Sequence, residues 1–263
     1  CMAAHFKGHP CGNSVLGTEQ SIDALKSEQM REYFSRRYAP DNIVAAFCGN
    51  LDFEKMCSLV DKKCGAWQKS NAKRELTAFD GTGEKNREKK ETLACEHICL
   101  MSPAVSMQDP RRFAMSLMSV LLGDQTGSRY FWSLVDTALA ETAVMQCDTM
   151  DKAGALYTYI RCSPANSDKV INIVNDIFKD LRDKGVSESE LESAKNKVLS
   201  NLTIKCETPM GRLVNLGFNL VYLNEYRSVA VDVEAIKSVK VDDVNSLIKE
   251  FNPANYTMYT VGP

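Results

Sequence analysis

Residues 20–50, QSIDALKSEQMREYFSRRYAPDNIVAAFCGN, and residues 233–263, VEAIKSVKVDDVNSLIKEFNPANYTMYTVGP, are two versions of one local plan. Each sets a short helical piece before a longer amphipathic helix, then an aromatic, x-Pro-x-Asn, a short apolar strand and a glycine. Tyr38, Pro40, Asn42 and Gly49 recur as Phe251, Pro253, Asn255 and Gly262, each at the same offset, with a gap inside the helix. Each proline ends its helix because it lacks an N–H and pushes its predecessor out of the α region. In the first copy this predicts a helix over 27–38 that buries Met30, Phe34 and Tyr38, followed by a strand over 43–48.

The repeat recurs at the spacing of a whole domain, which implies an α+β protein of duplicated units, each an antiparallel sheet packed with helices. The second copy closes a unit that begins near residue 91. The first closes a much shorter stretch, so the first unit reads as truncated at its N-terminus by on the order of 120 residues. The expected organisation is 1–70 as the remainder of a first unit, 71–90 as a charged linker, and 91–263 as a complete second unit.

Composition narrows the partners. Of 263 residues, 44% are hydrophobic and 25% charged, with a formal net charge of −2, which are globular values and give no footprint for a polyanion. The charged stretch 69–90 mixes both signs and holds one aromatic, Phe79, so it reads as a solvated linker and not a nucleic-acid patch. Apolar runs such as Ile43–Cys48 are too short to span a bilayer. Neither nucleic acid nor membrane is expected as a partner. The ten cysteines include no C-x-x-C, and Cys48 and Cys57 occupy apolar positions of regular elements. Free thiols behave this way in a reducing compartment, which favours the cytoplasm and leaves export open.

Further elements follow from caps and periodicity. Asp52 caps a helix over 53–64 that stops at Gly65. ETLACEHICLMS (91–102) reads as a strand containing His97, and Asp109-Pro110 opens an apolar helix. Strands are expected over 140–148 and 153–162. Val170, Val174, Ile177 and Leu181 stripe a helix ending at Gly185, and Ser187 with Glu190 forms a capping box for the next. His5 and His9 stand four apart, but Gly8 and Pro10 deny them a helix, so this chain is expected to bind no cofactor. A nucleophile elbow, a P-loop, a dinucleotide fingerprint and H-E-x-x-H are all absent from the sequence.

Three stretches carry a resemblance. GHPCGNSVLGTEQSIDALKSEQMREYFSRRYAPDNIVAAFCGNLD resembles the G-H-P-x-G…L-G-T-E-x-x-I and Y-x-P-x-N runs of the pitrilysin/insulinase/mitochondrial processing peptidase family of zinc metallopeptidases. LLGDQTGSRYFWSLVDTALAE resembles the L-G-x-x-x-x-S-R-L-F…G-L-A-Y segment of that family's second half. SESELESAKNKVLSNL with GRLVNLGFNLVY resembles its pair of long helices.

The resemblance implies the C-terminal part of a zinc-dependent endopeptidase whose H-x-x-E-H segment, and with it the zinc, lies in the full-length parent outside this chain. It implies a peptide or unfolded polypeptide as substrate, and a homo- or hetero-dimer with a family partner. Ser128 and Arg129 match the S-R of the segment and are candidate substrate contacts, with bracing of the helix as the other role for Arg129. The Arg and Tyr usual for the segment fall at Val135 and Glu141, so that pair is absent. Glu141 is expected to face the substrate chamber and favour a basic or N-terminal peptide group. Two other functions stay open at this point: a non-catalytic family subunit that binds peptide or an active partner chain, and an unrelated interaction or scaffold protein.

Overall fold

The computed structural model describes residues 1–72, 77, 79 and 81–263. In chain order the elements are α1 (Met2–His5), α2 (Glu19–Asp23), α3 (Ser27–Arg37), α4 (Phe53–Cys64), β1 (Lys85–Lys89), β2 (Glu96–Pro103) and α5 (Arg112–Gly123). Then come β3 (Ala140–Thr149), β4 (Gly154–Cys162), α6 (Ser167–Lys184), α7 (Glu188–Glu207), α8 (Pro209–Leu223), α9 (Val229–Ser238), α10 (Val241–Glu250) and β5 (Thr257–Gly262). The chain forms two compact units. One holds Cys1–Asn13, Thr77–Asn201 and Ala230–Pro263, the other Ser14–Leu76 and Leu202–Val229.

The first of these is built on a sheet of order β1-β5-β2-β4-β3. β1 runs parallel to β5, and every other pairing is antiparallel. The α+β architecture of antiparallel strands packed with helices is as expected, with the β1–β5 pairing making the sheet mixed. That pairing lies in Lys85–Lys89, whose charged residues lack the alternation of a half-buried strand and sit within the stretch expected as linker. Residues 73–76, 78 and 80 of that linker lie outside the described residues.

One face of the sheet is packed. Ile98, Leu100, Ile160, Ala143 and Met145 are buried, as are Met115, Leu117, Met118 and Leu122 of α5, Val174, Phe178 and Leu181 of α6, and Val244 and Leu247 of α10. Each such large side chain contributes roughly 1.5–3 kcal/mol when fully withdrawn from water. The opposite face follows from the register: Tyr259, Cys99, Tyr159 and Val144 lie in one row across β5, β2, β4 and β3, and all are half-buried. Toward one end this open face is covered, where Phe6 joins Met101, Ala153 and Ala155 with Phe79 and Tyr157 against them.

The other unit contains α2, α3, α4 and α8. Asp52 caps α4 as expected, its Oδ1 accepting from Lys55 N at 3.0 Å, and Thr18 caps α2, its Oγ1 accepting from Ser21 N at 3.2 Å. The repeated plan is kept bond for bond at the helix ends. Tyr38 N donates to Phe34 O at 2.8 Å and Phe251 N to Leu247 O at 2.7 Å. Asn42 N donates to Ala39 O at 2.9 Å and Asn255 N to Asn252 O at 3.0 Å.

After the proline the copies diverge. Residues 256–261 lead into and form β5, held between β1 and β2. Residues 43–48 form no strand, because among the described residues no neighbouring strand offers them a ladder. The expected apolar stripe of α3 is also not buried: Met30, Phe34 and Tyr38 are 54%, 54% and 53% exposed. Phe34 and Tyr38 stack on one another at 4.4 Å between ring centres.

Candidate functional site

The stretch between α5 and β3 carries the residues singled out in the sequence. After α5 the chain turns through Asp124–Gly127, and Phe131–Val135 form a π-helical turn, a form that recurs at functional sites. Ser128 is buried, its hydroxyl donating to Asp124 O at 2.6 Å and accepting from Phe131 N at 3.0 Å. Lys197 Nζ reaches Asp124 Oδ2 at 2.5 Å and also the Thr126 carbonyl. The turn is thus tied to α7 before it can present anything.

Arg129 is drawn inward in the same way. Its Nε donates to Glu190 Oε1 at 2.9 Å, and Nη2 donates to the Gly185 carbonyl at 2.9 Å and to Glu190 Oε2 at 3.2 Å. Nη1 lies 3.7 Å from Asp180 Oδ2. Gly185 stops α6 at φ +72° and ψ −154°, a backbone that favours glycine, where a side chain would be strained and would collide with Asn245. Glu190 Oε2 also accepts from Ser187 N at 2.9 Å while Glu190 N donates to Ser187 Oγ at 3.3 Å, the two bonds of the expected capping box. Ser187 Oγ donates to Oε2 at 2.9 Å. Burial pushes the Glu190 carboxyl up, but the bonds from Arg129 and Ser187 outweigh it and hold it below the usual range. A cleft of about 220 Å³ beside this pair is lined by Trp132, Ser189, Ser193 and Lys197.

Glu141 sits elsewhere. It is skipped in the pairing of β3 with β4, between Ala140–Cys162 and Thr142–Arg161, so it occupies a β-bulge. Bulges re-aim side chains at sheet edges. Its carboxylate forms an ion pair with Arg161 and accepts from the Cys95 thiol at 3.7 Å. Arg161 thus already neutralises the charge expected to select basic groups. Beside it on the open face, His97 Nδ1 bonds Tyr159 Oη at 2.8 Å, and Cys99 Sγ bonds Tyr157 Oη at 3.4 Å. Among the described residues no bond joins Glu141 to Ser128 or Arg129, so the three candidates form two places and not one.

Arg161, Asp180 and Lys197 complete these places without any motif to announce them. Arg161 falls within the strand expected over 153–162, and its partner depends on strand register. Ala138, at φ +56°, adopts a left-handed backbone normally left to glycine.

The histidines do not assemble a metal site. His5 is buried with Nδ1 3.0 Å from Thr257 Oγ1, and His9 Nδ1 accepts from Cys11 N at 3.2 Å while Nε2 lies 3.1 Å from Thr77 O. No group of three or more His, Cys, Asp or Glu among the described residues fits a metal ion. Among the described residues no donor set of the kind zinc needs is brought together. No helix among the described residues is long and apolar enough to cross a membrane.

Comparison with known proteins follows the same lines. The family described as the peptidase M16 inactive domain matches residues 24–198, and the chain belongs to this family. An uncharacterized zinc protease of Mycobacterium tuberculosis is 26% identical over 268 residues, covering 100% of this chain and 61% of that protein. A non-peptidase homolog of Helicobacter pylori is 22% identical over 264 residues, covering 97% of this chain and 60% of that protein. The crystal structure of the peptidase M16 inactive domain from Pseudomonas fluorescens superposes with a TM-score of 0.90 at 18% identity, covering 100% of this chain and 64% of that one. The chain thus spans about three-fifths of the length of the curated relatives it matches. The α+β fold is that of the peptidase M16 inactive domain, and an unrelated scaffold protein is set aside by the family match.

Proposed function

We propose that this chain is the substrate-holding part of a zinc-dependent endopeptidase, with the zinc held by polypeptide outside these 263 residues. The observation that carries the reading is the match of residues 24–198 to the inactive domain of a peptidase family, beside relatives named zinc proteases. In this reading 1–70 is the remainder of a first, metal-bearing unit and 91–263 the second. Ser128 and Arg129 act by fixing the turn that leads into β3, and Glu141 with Arg161 meets the peptide as a neutral pair. The substrate is an extended peptide or unfolded polypeptide, and the working form pairs with a family partner or a second copy.

A second reading is a non-catalytic subunit that binds peptide or an active partner. It is favoured by the relative named a non-peptidase homolog, while Val135 and Glu141, standing where the resemblance leads one to expect Arg and Tyr, weigh on both readings alike.

Zinc content and peptidase activity, measured on this chain and on its full-length parent side by side, separate the two. Zinc and activity in the parent alone support the endopeptidase. Neither in both supports the non-catalytic subunit. Stoichiometric zinc in this chain would overturn both placements of the metal.

A further inference from the structure

Cys1 and Cys99 stand 98 residues apart in the chain and meet over the open face of the sheet. Cys1 Sγ lies 3.6 Å from Cys99 O and 3.8 Å from Thr257 O, within donor reach of both. Those carbonyls belong to neighbouring strands, β2 and β5, so the thiol sits over the seam between them. It packs there against the cluster of Phe6 and Met101, on the face to which Cys99 points. Cys99 Sγ in turn bonds Tyr157 Oη at 3.4 Å, and both cysteines are half-buried and free. Within any cysteine the carbonyl oxygen and Sγ are roughly 3–4.5 Å apart, which puts the two sulfurs at most about 8 Å from each other. A change of χ1 well swings Sγ by about 3 Å, so rotation of both side chains closes the gap to the roughly 2 Å of a disulfide. Cys11 packs against the same cluster and is the competing partner. Burial pushes its thiol up, which lowers the thiolate it offers.

We propose that Cys1 and Cys99 form a reversible disulfide on exposure to a hydroperoxide, and that this bond pins residues 1–12 onto the sheet. One thiolate attacks a peroxide oxygen, the O–O bond breaks, and a sulfenic acid forms while the other oxygen leaves, protonated, as water. The second thiolate attacks the sulfenic sulfur, forming the S–S bond and expelling a second water. In all, two thiols lose two electrons and one hydrogen peroxide is reduced to two waters. A dithiol reductant reverses the step by thiol–disulfide exchange. The effect is local to the open face. In the reduced chain residues 1–12 are held by Phe6 and by polar contacts such as His5 Nδ1 with Thr257 Oγ1 at 3.0 Å and Thr82 Oγ1 with Ala4 O at 2.8 Å. Oxidation sets a covalent tie beside these contacts and takes the Cys99 thiol away from the Tyr157 hydroxyl, at the border of the covered part of the face. The device stands whether the parent is an endopeptidase or a non-catalytic subunit.

The test treats this chain with one equivalent of hydrogen peroxide, blocks the remaining thiols with N-ethylmaleimide and maps its peptides by mass spectrometry without reduction. A Cys1–Cys99 peptide pair that dithiothreitol removes is the expected result, and Cys1→Ser and Cys99→Ser each abolish it. Amide exchange of residues 2–12 slows about threefold or more in the oxidised chain, and the thermal midpoint rises. Peroxide leaves both readings unchanged in either serine variant. Cys1 joined to Cys11, or Cys99 carried to sulfinic acid with Cys1 still a thiol, overturns the pairing. A Cys1–Cys99 bond that leaves the exchange of residues 2–12 as it was overturns the pin.

Discussion

Arg129 and Glu190 form a two-bond pair, Nε to Oε1 at 2.9 Å and Nη2 to Oε2 at 3.2 Å, that locks the start of the π-helical turn to the start of α7. The Arg129 side chain is 17% exposed and that of Glu190 34%, so losing the guanidinium takes two charge-assisted bonds from a half-buried carboxylate and leaves it only Ser187. Arg129→Ala is expected to cost about 2–4 kcal/mol in urea unfolding. Arg129→Lys recovers little, because an ammonium cannot reproduce the fork that also reaches Gly185. An unchanged unfolding midpoint in Arg129→Ala would release this residue for a direct substrate role.

The same pair sets a pH dependence. The folded Glu190 carboxyl lies below its ordinary value, so the unfolded chain binds more protons in the window between the two. Its contribution is present above the ordinary carboxylate value and lost as pH falls through the folded one. Glu190→Gln is expected to flatten the acid limb of stability against pH.

Asp148 behaves in the opposite sense. Burial pushes its carboxyl up, so the folded chain binds more protons and stability falls as pH rises through the window from the ordinary value to the raised one. Asp148→Asn is expected to raise the thermal midpoint at neutral pH and to leave it unchanged well below the ordinary Asp value. A lower midpoint at neutral pH would show that the charge is compensated in the fold.

Ala138 holds φ +56° with its N–H bonded to Val135 O at 2.9 Å. Ala138→Gly relieves a left-handed Cβ at the cost of a more flexible unfolded chain, with an expected net gain of roughly 0.5–1 kcal/mol. Equilibrium denaturation reads it directly, and a loss of stability would mean that the methyl group has packing worth more than the strain.

All ten cysteines are free, in different surroundings. Cys57 is exposed, whereas burial, with the charges of Glu96 and Cys95, pushes the Cys162 thiol up to about 11. Iodoacetamide at pH near 8 is expected to label Cys57 well before Cys162 in the native chain, and both alike in urea. Equal labelling in buffer would show that β4 opens readily.

Helix ends and caps were legible in the sequence because their chemistry is local. Asp52, Ser187–Glu190, Gly185 and the two prolines each act within a few residues of themselves. What stayed hidden depends on partners distant in sequence. Lys85–Lys89 is a strand only because β5 lies beside it, and 43–48 is not one for want of a neighbour. Likewise Ser128 and Arg129 were visible as a motif, but only the approach of Glu190, Gly185 and Asp180 shows that their polar groups are already engaged. Glu141 read as a free charge until the register placed Arg161 against it.

The divergence of the two helix–Pro–strand copies makes the molecule its own control. Residues 43–49 and 256–262 follow one local code in a single polypeptide, at one temperature and in one buffer, and differ in the neighbours that surround them. The ratio of their amide exchange rates therefore measures what tertiary company adds to a strand, with intrinsic propensity largely divided out. Any polypeptide that supplies the missing company to residues 43–49 would announce itself as a slowing of that copy toward the rate of the other.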